Sequence, residues 1–212
     1  MAVHLIDHPL VQQALTRIRD KATSGRELRF HVDRITAMLT YEALRDLPMA
    51  RVEIETPFAS ATGSALPPEA RIAIVPVLRA GLAMVEAALR CAPQAEVWHL
   101  GAYRDPESLK PVSYYNRLPR TFEGTRVLLL DGTIATGGTM IAAMDLIDEK
   151  QPVLVSVVTL VSAKQGLDNL LAAHPGLEVY VAAIDPELST GRAAGRILPG
   201  VGELSDRLYG TR

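Results

Sequence analysis

The chain has 212 residues, 22 Lys and Arg against 24 Asp and Glu, five His, one Cys and 48% hydrophobic residues. That length is enough to bury a continuous core without disulfide or metal staples. A formal net charge of −2 gives no electrostatic footprint for nucleic acid or for an anionic membrane surface. The lone Cys91 cannot form an intramolecular disulfide, so a reducing, cytoplasmic setting is expected.

The first residues, MAVHLIDHPLVQQ, lack the basic and apolar regions of a signal peptide and read as the approach to a helix. From Pro9 to about Lys21, Val11, Ala14, Leu15 and Ile18 recur at helical spacing, with Pro9 in the first turn. After Ser24-Gly25, a second stripe of Leu28, Val32, Ile35, Met38 and Leu39 predicts a helix that runs to Leu44. Arg17, Arg19, Arg29 and Arg34 are expected on solvated faces of these helices, and Cys91 is expected to be a buried bystander.

Arg51 to Thr56 alternates like a half-exposed strand, and the Ser, Thr, Gly and Pro of Ala59 to Pro68 predict a loop. Farther on, short apolar runs at 71–76, 96–100, 126–130, 153–161 and 177–184 alternate with helical stretches at 81–90, 138–148 and 164–173. Nearly continuous apolar strands between helices predict an α/β fold, a mostly parallel sheet covered on both faces. Ligands of such sheets bind at the carboxyl ends of the strands, here just after Pro76, Leu100, Leu130 and Ile184. Gly101 to Thr121 has three Pro and no helical period, so a projecting arm or hairpin is expected there. No linker or repeat divides the chain, and 1–212 reads as a single domain.

The strongest chemical signal is Arg126-Val-Leu-Leu-Leu-Asp-Gly-Thr-Ile-Ala-Thr-Gly-Gly-Thr-Met140. A buried strand ends in Asp131 and passes through a short loop into a helix. Gly137 and Gly138 let the backbone approach a ligand, and Thr136 and Thr139 add hydroxyls at the start of that helix. Such a loop cradles phosphate through unpaired backbone N–H groups and the helix dipole. It is neither a Walker A loop nor GxGxxG, which argues against a dinucleotide-dependent dehydrogenase. Asp131, just before the cradle, is suited to accept hydrogen bonds from sugar hydroxyls.

These residues resemble the type I phosphoribosyltransferases and, among them, the uracil phosphoribosyltransferase family. Asp131 to Thr139 is similar to the family's phosphate loop. Val75-Pro-Val-Leu-Arg-Ala-Gly81 is similar to its pyrophosphate-side loop, and Gly101-Ala-Tyr-Arg104 with Tyr114-Tyr-Asn-Arg-Leu-Pro119 to its arm. Ile197-Leu-Pro-Gly-Val-Gly202 and Asp206 with Gly210-Thr211 are similar to its C-terminal base-binding region.

The resemblance implies transfer of ribose 5-phosphate from phosphoribosyl pyrophosphate (PRPP) to uracil, with Mg²⁺ held mainly by PRPP oxygens and water. It implies a PRPP site of Arg79, Arg104, Asp131, Gly132, Thr133, Ile134, Ala135, Thr136, Gly137, Gly138, Thr139 and Glu203, with Asp131, Arg79 and Arg104 closest to the chemistry. Uracil is expected over Ile197, Gly202, Glu203 and Leu204, read largely by main-chain groups. Tyr103, Tyr114 and Tyr115 are expected to line the contact of a homodimer or higher homo-oligomer, and neither nucleic acid nor membrane is an expected partner.

The chain departs from that pattern in two places. Arg196 replaces the usual Tyr after a longer loop, Thr190 to Gly195, and Glu203-Leu-Ser-Asp206 replaces Asp-Ala-Gly-Asp, which puts a bulkier Leu204 beside the expected base. Gly132-Thr133 replaces Pro-Met and is expected to loosen the phosphate loop. Two alternatives follow: a phosphoribosyltransferase for another nucleobase, or a non-catalytic PRPP- or nucleotide-binding regulator.

Overall fold

The computed structural model describes residues 3–104, 111–191 and 194–211, and the side chains of all of these except 102–104, 111 and 113. Two amphipathic helices open the chain, α1 (Pro9–Arg19) and α2 (Gly25–Ala43). His8 caps α1 through its imidazole, which accepts from the Leu10 amide. Ser24 and Glu27 form a reciprocal capping box on α2. The buried stripe of α1 is Val11, Ala14, Leu15 and Ile18, as the spacing predicts.

The central sheet has the order β1-β10-β9-β8-β4-β6-β7. Its members are β1 (Val3–Leu5), β4 (Arg71–Leu78), β6 (Leu100–Arg104), β7 (Pro111–Asn116), β8 (Thr125–Ile134), β9 (Leu154–Ala163) and β10 (Glu178–Asp185). The short β5 (Glu96–Val97) also pairs with β4. Among the described residues every pairing in this sheet is parallel except β6 with β7, which lie antiparallel in the stretch where an arm or hairpin was expected.

Successive side chains of the inner strands serve opposite faces. Ile72, Ile74, Leu128 and Leu130 join α1 and α2 in one core, with α3 (Val85–Cys91) and α6 (Leu204–Tyr209). Ala73, Val75, Val127 and Leu129 join α4 (Gly138–Asp148) and α5 (Lys164–Ala173) in the other. The near-continuous apolar runs of the sequence thus mark strands covered on both sides.

Several expectations need correction. The first residues contribute β1, which pairs with β10 instead of only leading into a helix. The Ala59 to Pro68 stretch is not a loop: β3 (Ser60–Ala65) pairs antiparallel with β2 (Ala50–Glu55), and the partner strand supplies the order that its composition hides. The helix expected from Gly81 starts as a 3₁₀ turn, Ala80–Met84. β8 continues past Asp131 to Ile134 because Asp131, Thr133 and Ile134 stay in register with β9.

Two of the four helix arginines are not simply solvated. Arg19 grips the buried Asp185 with both Nη atoms at 2.8 and 2.7 Å, and Arg29 donates to the Leu208 carbonyl at 2.6 Å. Cys91 is exposed at the end of α3, its thiol donating to the Ala37 carbonyl at 3.5 Å. Partial burial nonetheless pushes the thiol pKa up, so little reactive thiolate forms. Among the described residues, no helix is long and apolar enough to cross a membrane.

Candidate active site

A cavity of about 450 Å³ opens at the carboxyl ends of β4 and β8. Strand β4 delivers Arg79 and Ala80 to its wall, and β8 delivers Asp131, Thr133 and Ile134. Ala135 to Met140 form its floor where the chain enters α4, and Tyr114, Gly195, Glu203 and Ser205 complete it. Parallel strands all end on the same side of the sheet, so residues far apart in sequence converge there.

The floor is built for close approach. Gly137 sits at φ +87°, in the left-handed region, and a Cβ there would lie 2.6 Å from the Gly166 carbonyl oxygen. The Asn169 side chain donates to the Thr136 carbonyl at 3.0 Å, so α5 supports the loop from below. Beyond Gly137, α4 begins with amide groups that have no partner within the helix, at the positive end of its dipole.

Asp131 opens onto the cavity while protein surrounds the rest of its side chain. Burial pushes its pKa up to about 7, against the opposing pull of hydrogen bonds from the Gly132 and Thr133 amides. The free site therefore holds a carboxyl group poised between its neutral and charged forms near neutrality.

A second cavity, about 310 Å³, adjoins the first and shares Thr133, Ala135, Gly195, Glu203 and Ser205 with it. Its other walls come from Ala80, Arg196 to Pro199, Val201, Gly202 and Leu204. Here β11 (Glu187–Leu188) and β12 (Ile197–Leu198) form a short antiparallel ribbon after β10. The turn after β12 is held from the core: the Gly200 amide donates to Asp185 Oδ2 at 2.8 Å, and Arg19 donates to the Gly200 carbonyl at 2.8 Å. Arg196 Nε lies 3.5 Å from Glu203 Oε1, with both side chains more than half exposed, so this pair adds little stability.

Leu204 does not crowd the second cavity in the way its size suggests. It is 4% exposed and belongs to the α1/α2 core. Its Cδ2 occupies the space beside Gly132, where a Cβ would lie only 2.4 Å away. Nor is Gly132 loose, since it is buried within β8 against this side chain. The two departures noted separately in the sequence are thus one fitted contact.

The structure brings together Arg79, Asp131, Thr133 to Thr139, Glu203 and, through the shared wall, Ile197, Gly202 and Leu204. Gly132 stands just behind this wall. Arg104 closes strand β6, but its side chain, like that of Tyr103, lies outside the described residues. Tyr114, expected at an interface, lines the first cavity. Ser205, read in the sequence only as a departure beside the base-binding segment, lines both cavities, as does Gly195; Gly166 and Asn169, which support the loop from α5, were missed. A glycine inside the α5 pattern was the available clue to a close backbone approach.

Comparison with known proteins places these features in a class. A purine phosphoribosyltransferase from Pyrococcus horikoshii superposes with a TM-score of 0.51 at 14% identity, covering 76% of this chain and 95% of that one. This likeness establishes the phosphoribosyltransferase fold. The match becomes specific at closer range: the family described as uracil phosphoribosyltransferase matches residues 5–211. The uracil phosphoribosyltransferases of Dictyoglomus turgidum and Thermus thermophilus are 44% and 42% identical, over 99% and 100% of this chain and 100% of each relative. The AQ2163 protein of Aquifex aeolicus superposes with a TM-score of 0.90 at 35% identity, covering 98% of this chain and 97% of that chain. The chain belongs to the uracil phosphoribosyltransferase family.

Proposed function

We infer that the protein transfers the 5-phosphoribosyl group of PRPP to uracil, giving UMP and pyrophosphate in pyrimidine salvage. The observation that carries this reading is the pair of adjoining cavities at the strand ends: an anion cradle with Asp131 and Arg79 on one side, and the 195–205 segment on the other. Full-length kinship with uracil phosphoribosyltransferases supports it.

In this reading the 5′-phosphate rests on Ala135 to Thr139, where backbone amides and the α4 dipole meet its charge. Asp131 accepts hydrogen bonds from the ribose 2′ and 3′ hydroxyls. Arg79, with Arg104 from the neighbouring strand, stabilises charge that builds on the departing pyrophosphate. Uracil lies in the second cavity against Ile197, Gly202, Glu203 and Leu204. The C1–O bond to pyrophosphate breaks, a bond from ribose C1 to uracil N1 forms, and the N1 proton leaves to water. The ribose passes through an oxocarbenium-like transition state, so alignment of the two cavities contributes more than a strong protein base.

Mg²⁺ fits the donors present. Asp131, Glu203 and the Thr133, Thr136 and Thr139 hydroxyls offer only oxygen, the ligand type that a hard divalent cation takes. Asp131 and Glu203 are the carboxylates that would meet the ion, with substrate oxygens and water supplying the rest. When bound, the metal screens the negative charge of the pyrophosphate.

The chain works as one phosphoribosyltransferase unit over 1–212, with both cores built on one sheet. Its setting is cytoplasmic, in keeping with a single cysteine. It acts as a homodimer or higher homo-oligomer, supported by the exposed apolar side chains of the β2–β3 hairpin. The deciding experiment is UMP formation from labelled uracil and PRPP with Mg²⁺. Wild type should form UMP and the Asp131→Ala variant should be strongly impaired. Folded wild type that makes no UMP would refute the reading, and transfer to another base instead would reassign the acceptor.

A further inference from the structure

The C-terminal helix does more than close the core, because it reaches back to the arginine at the end of β4. Arg79 Nη2 donates to Asp206 Oδ1 at 3.2 Å, and Nη1 donates to the Thr211 hydroxyl at 3.3 Å. Thr211 in turn donates to the same Oδ1 at 2.6 Å, so carboxylate, hydroxyl and guanidinium form a closed triangle. The Tyr209 hydroxyl donates to the Arg79 carbonyl at 3.1 Å, fixing the backbone that carries the arginine. The Asp206 side chain is 14% exposed while that of Arg79 is 53% exposed, so a sheltered partner holds a cation that remains open to the cavity.

Asp206 is itself anchored. Its carbonyl accepts from the Gly210 and Thr211 amides, which fold the chain end back over the helix. Arg207 ties the same turn to the α1 end through the Ile18 and Asp20 carbonyls. Leu204 and Leu208 are buried on either side of Asp206. A long, flexible cation loses rotamer freedom when it grips an anion, and it loses less when neighbouring groups have already set its fork.

We propose that Asp206, assisted by Thr211, is a positioning residue that holds Arg79 in the conformation that receives the diphosphate of PRPP. The inference rests on the reading above, in which Arg79 meets that diphosphate. Because α6 starts directly after Glu203, which lines both cavities, the same helix links the base-side segment to this cation.

The opposite view treats Asp206 as a competitor that occupies Arg79 until substrate displaces it, and the two differ in sign. Steady-state kinetics with PRPP and uracil on D206N, T211V, R79A and the D206N/R79A double variant separates them. Removal of the carboxylate charge should raise the PRPP KM about three- to tenfold, the size of a direct side-chain coupling. The uracil KM and the melting temperature should stay near wild type. T211V should shift the PRPP KM in the same direction, and D206N should add no further effect once Arg79 is absent. An unchanged or lowered PRPP KM in D206N overturns the proposal. So does an equal rise in both KM values, or a D206N effect that persists in the R79A background. If D206N does not fold, T211V decides by the same criteria. Normal PRPP kinetics in R79A would remove the assignment of Arg79 itself, whereas an impaired R79A beside unaffected D206N and T211V would remove only the positioning role.

Discussion

Asp131 is a surface-type residue placed where water is scarce, and its behaviour follows from that placement. Its pKa in the folded, unliganded protein is about 7, against 3.8 for an unperturbed carboxyl. Between about pH 4 and pH 7 the folded chain holds a proton that the unfolded chain has lost, so this group's contribution to stability falls as pH rises through 7 and is flat above it. In the proposed reading ribose hydroxyls donate to the ionised form, so PRPP binding would act in the opposite direction. Affinity should strengthen from pH 6 to about pH 7.5, by at most about tenfold per pH unit, with protons released on binding below pH 7. Calorimetry in buffers of different ionisation enthalpy should show that release in wild type, and the Asp131→Asn variant should lose it. Equal proton release in both would place the titrating group elsewhere, on the phosphate of PRPP itself.

At the scale of elements, the joint between β8 and α6 determines how the loop that floors the first cavity meets the 195–205 segment that walls the second. Gly132 and Leu204 fit as hole and knob, with a Cβ at 132 only 2.4 Å from Leu204 Cδ2. Gly132→Ala alone should cost about 1–3 kcal/mol through overpacking. Adding Leu204→Ala to it should restore part of that loss, although Leu204→Ala by itself leaves a cavity and is also destabilising. Chemical denaturation of the single and double variants measures the coupling; additive losses would mean the contact is not the constraint. The sequence displays each half of this joint as a separate departure from the family pattern, Gly132 in the loop after Asp131 and Leu204 in the C-terminal segment. Only the convergence of β8 and α6 shows that each makes room for the other. The loop between β8 and α4 was legible for the contrary reason, since strand, Asp131, glycine turn and helix start are contiguous and local in character. Likewise β3 escaped notice because Ser60 to Ala65 has weak strand preference and is ordered by pairing with β2.

Over the whole molecule, the β2–β3 hairpin forms its own two-stranded sheet, separate from the central one. A two-stranded ribbon in water has little stability alone. Ile54 and Phe58 stand 46% and 99% exposed on it, and Met49 beside it is 56% exposed. In the proposed assembly a second copy of the chain would cover such side chains. Light scattering should therefore report a dimer or larger assembly, and Phe58→Ser should shift it towards monomer without lowering the helix and strand content. A wild-type monomer at micromolar concentration would refute this assembly.

By itself, the sequence determined the alternation of strands and helices, the glycine loop that follows Asp131, the family, and the segments that meet at the strand ends. These are properties of short stretches, in which periodicity, glycine placement and side-chain type act on near neighbours. Tertiary structure alone decided that Leu204 turns into the core, that Arg19 holds Asp185 and the turn at Gly200, and that Asp206 meets Arg79 across 127 positions of chain. Contacts of that kind depend on where the folded sheet brings distant segments, because burial and hydrogen-bond partners are fixed by packing and leave no mark on the residues beside them.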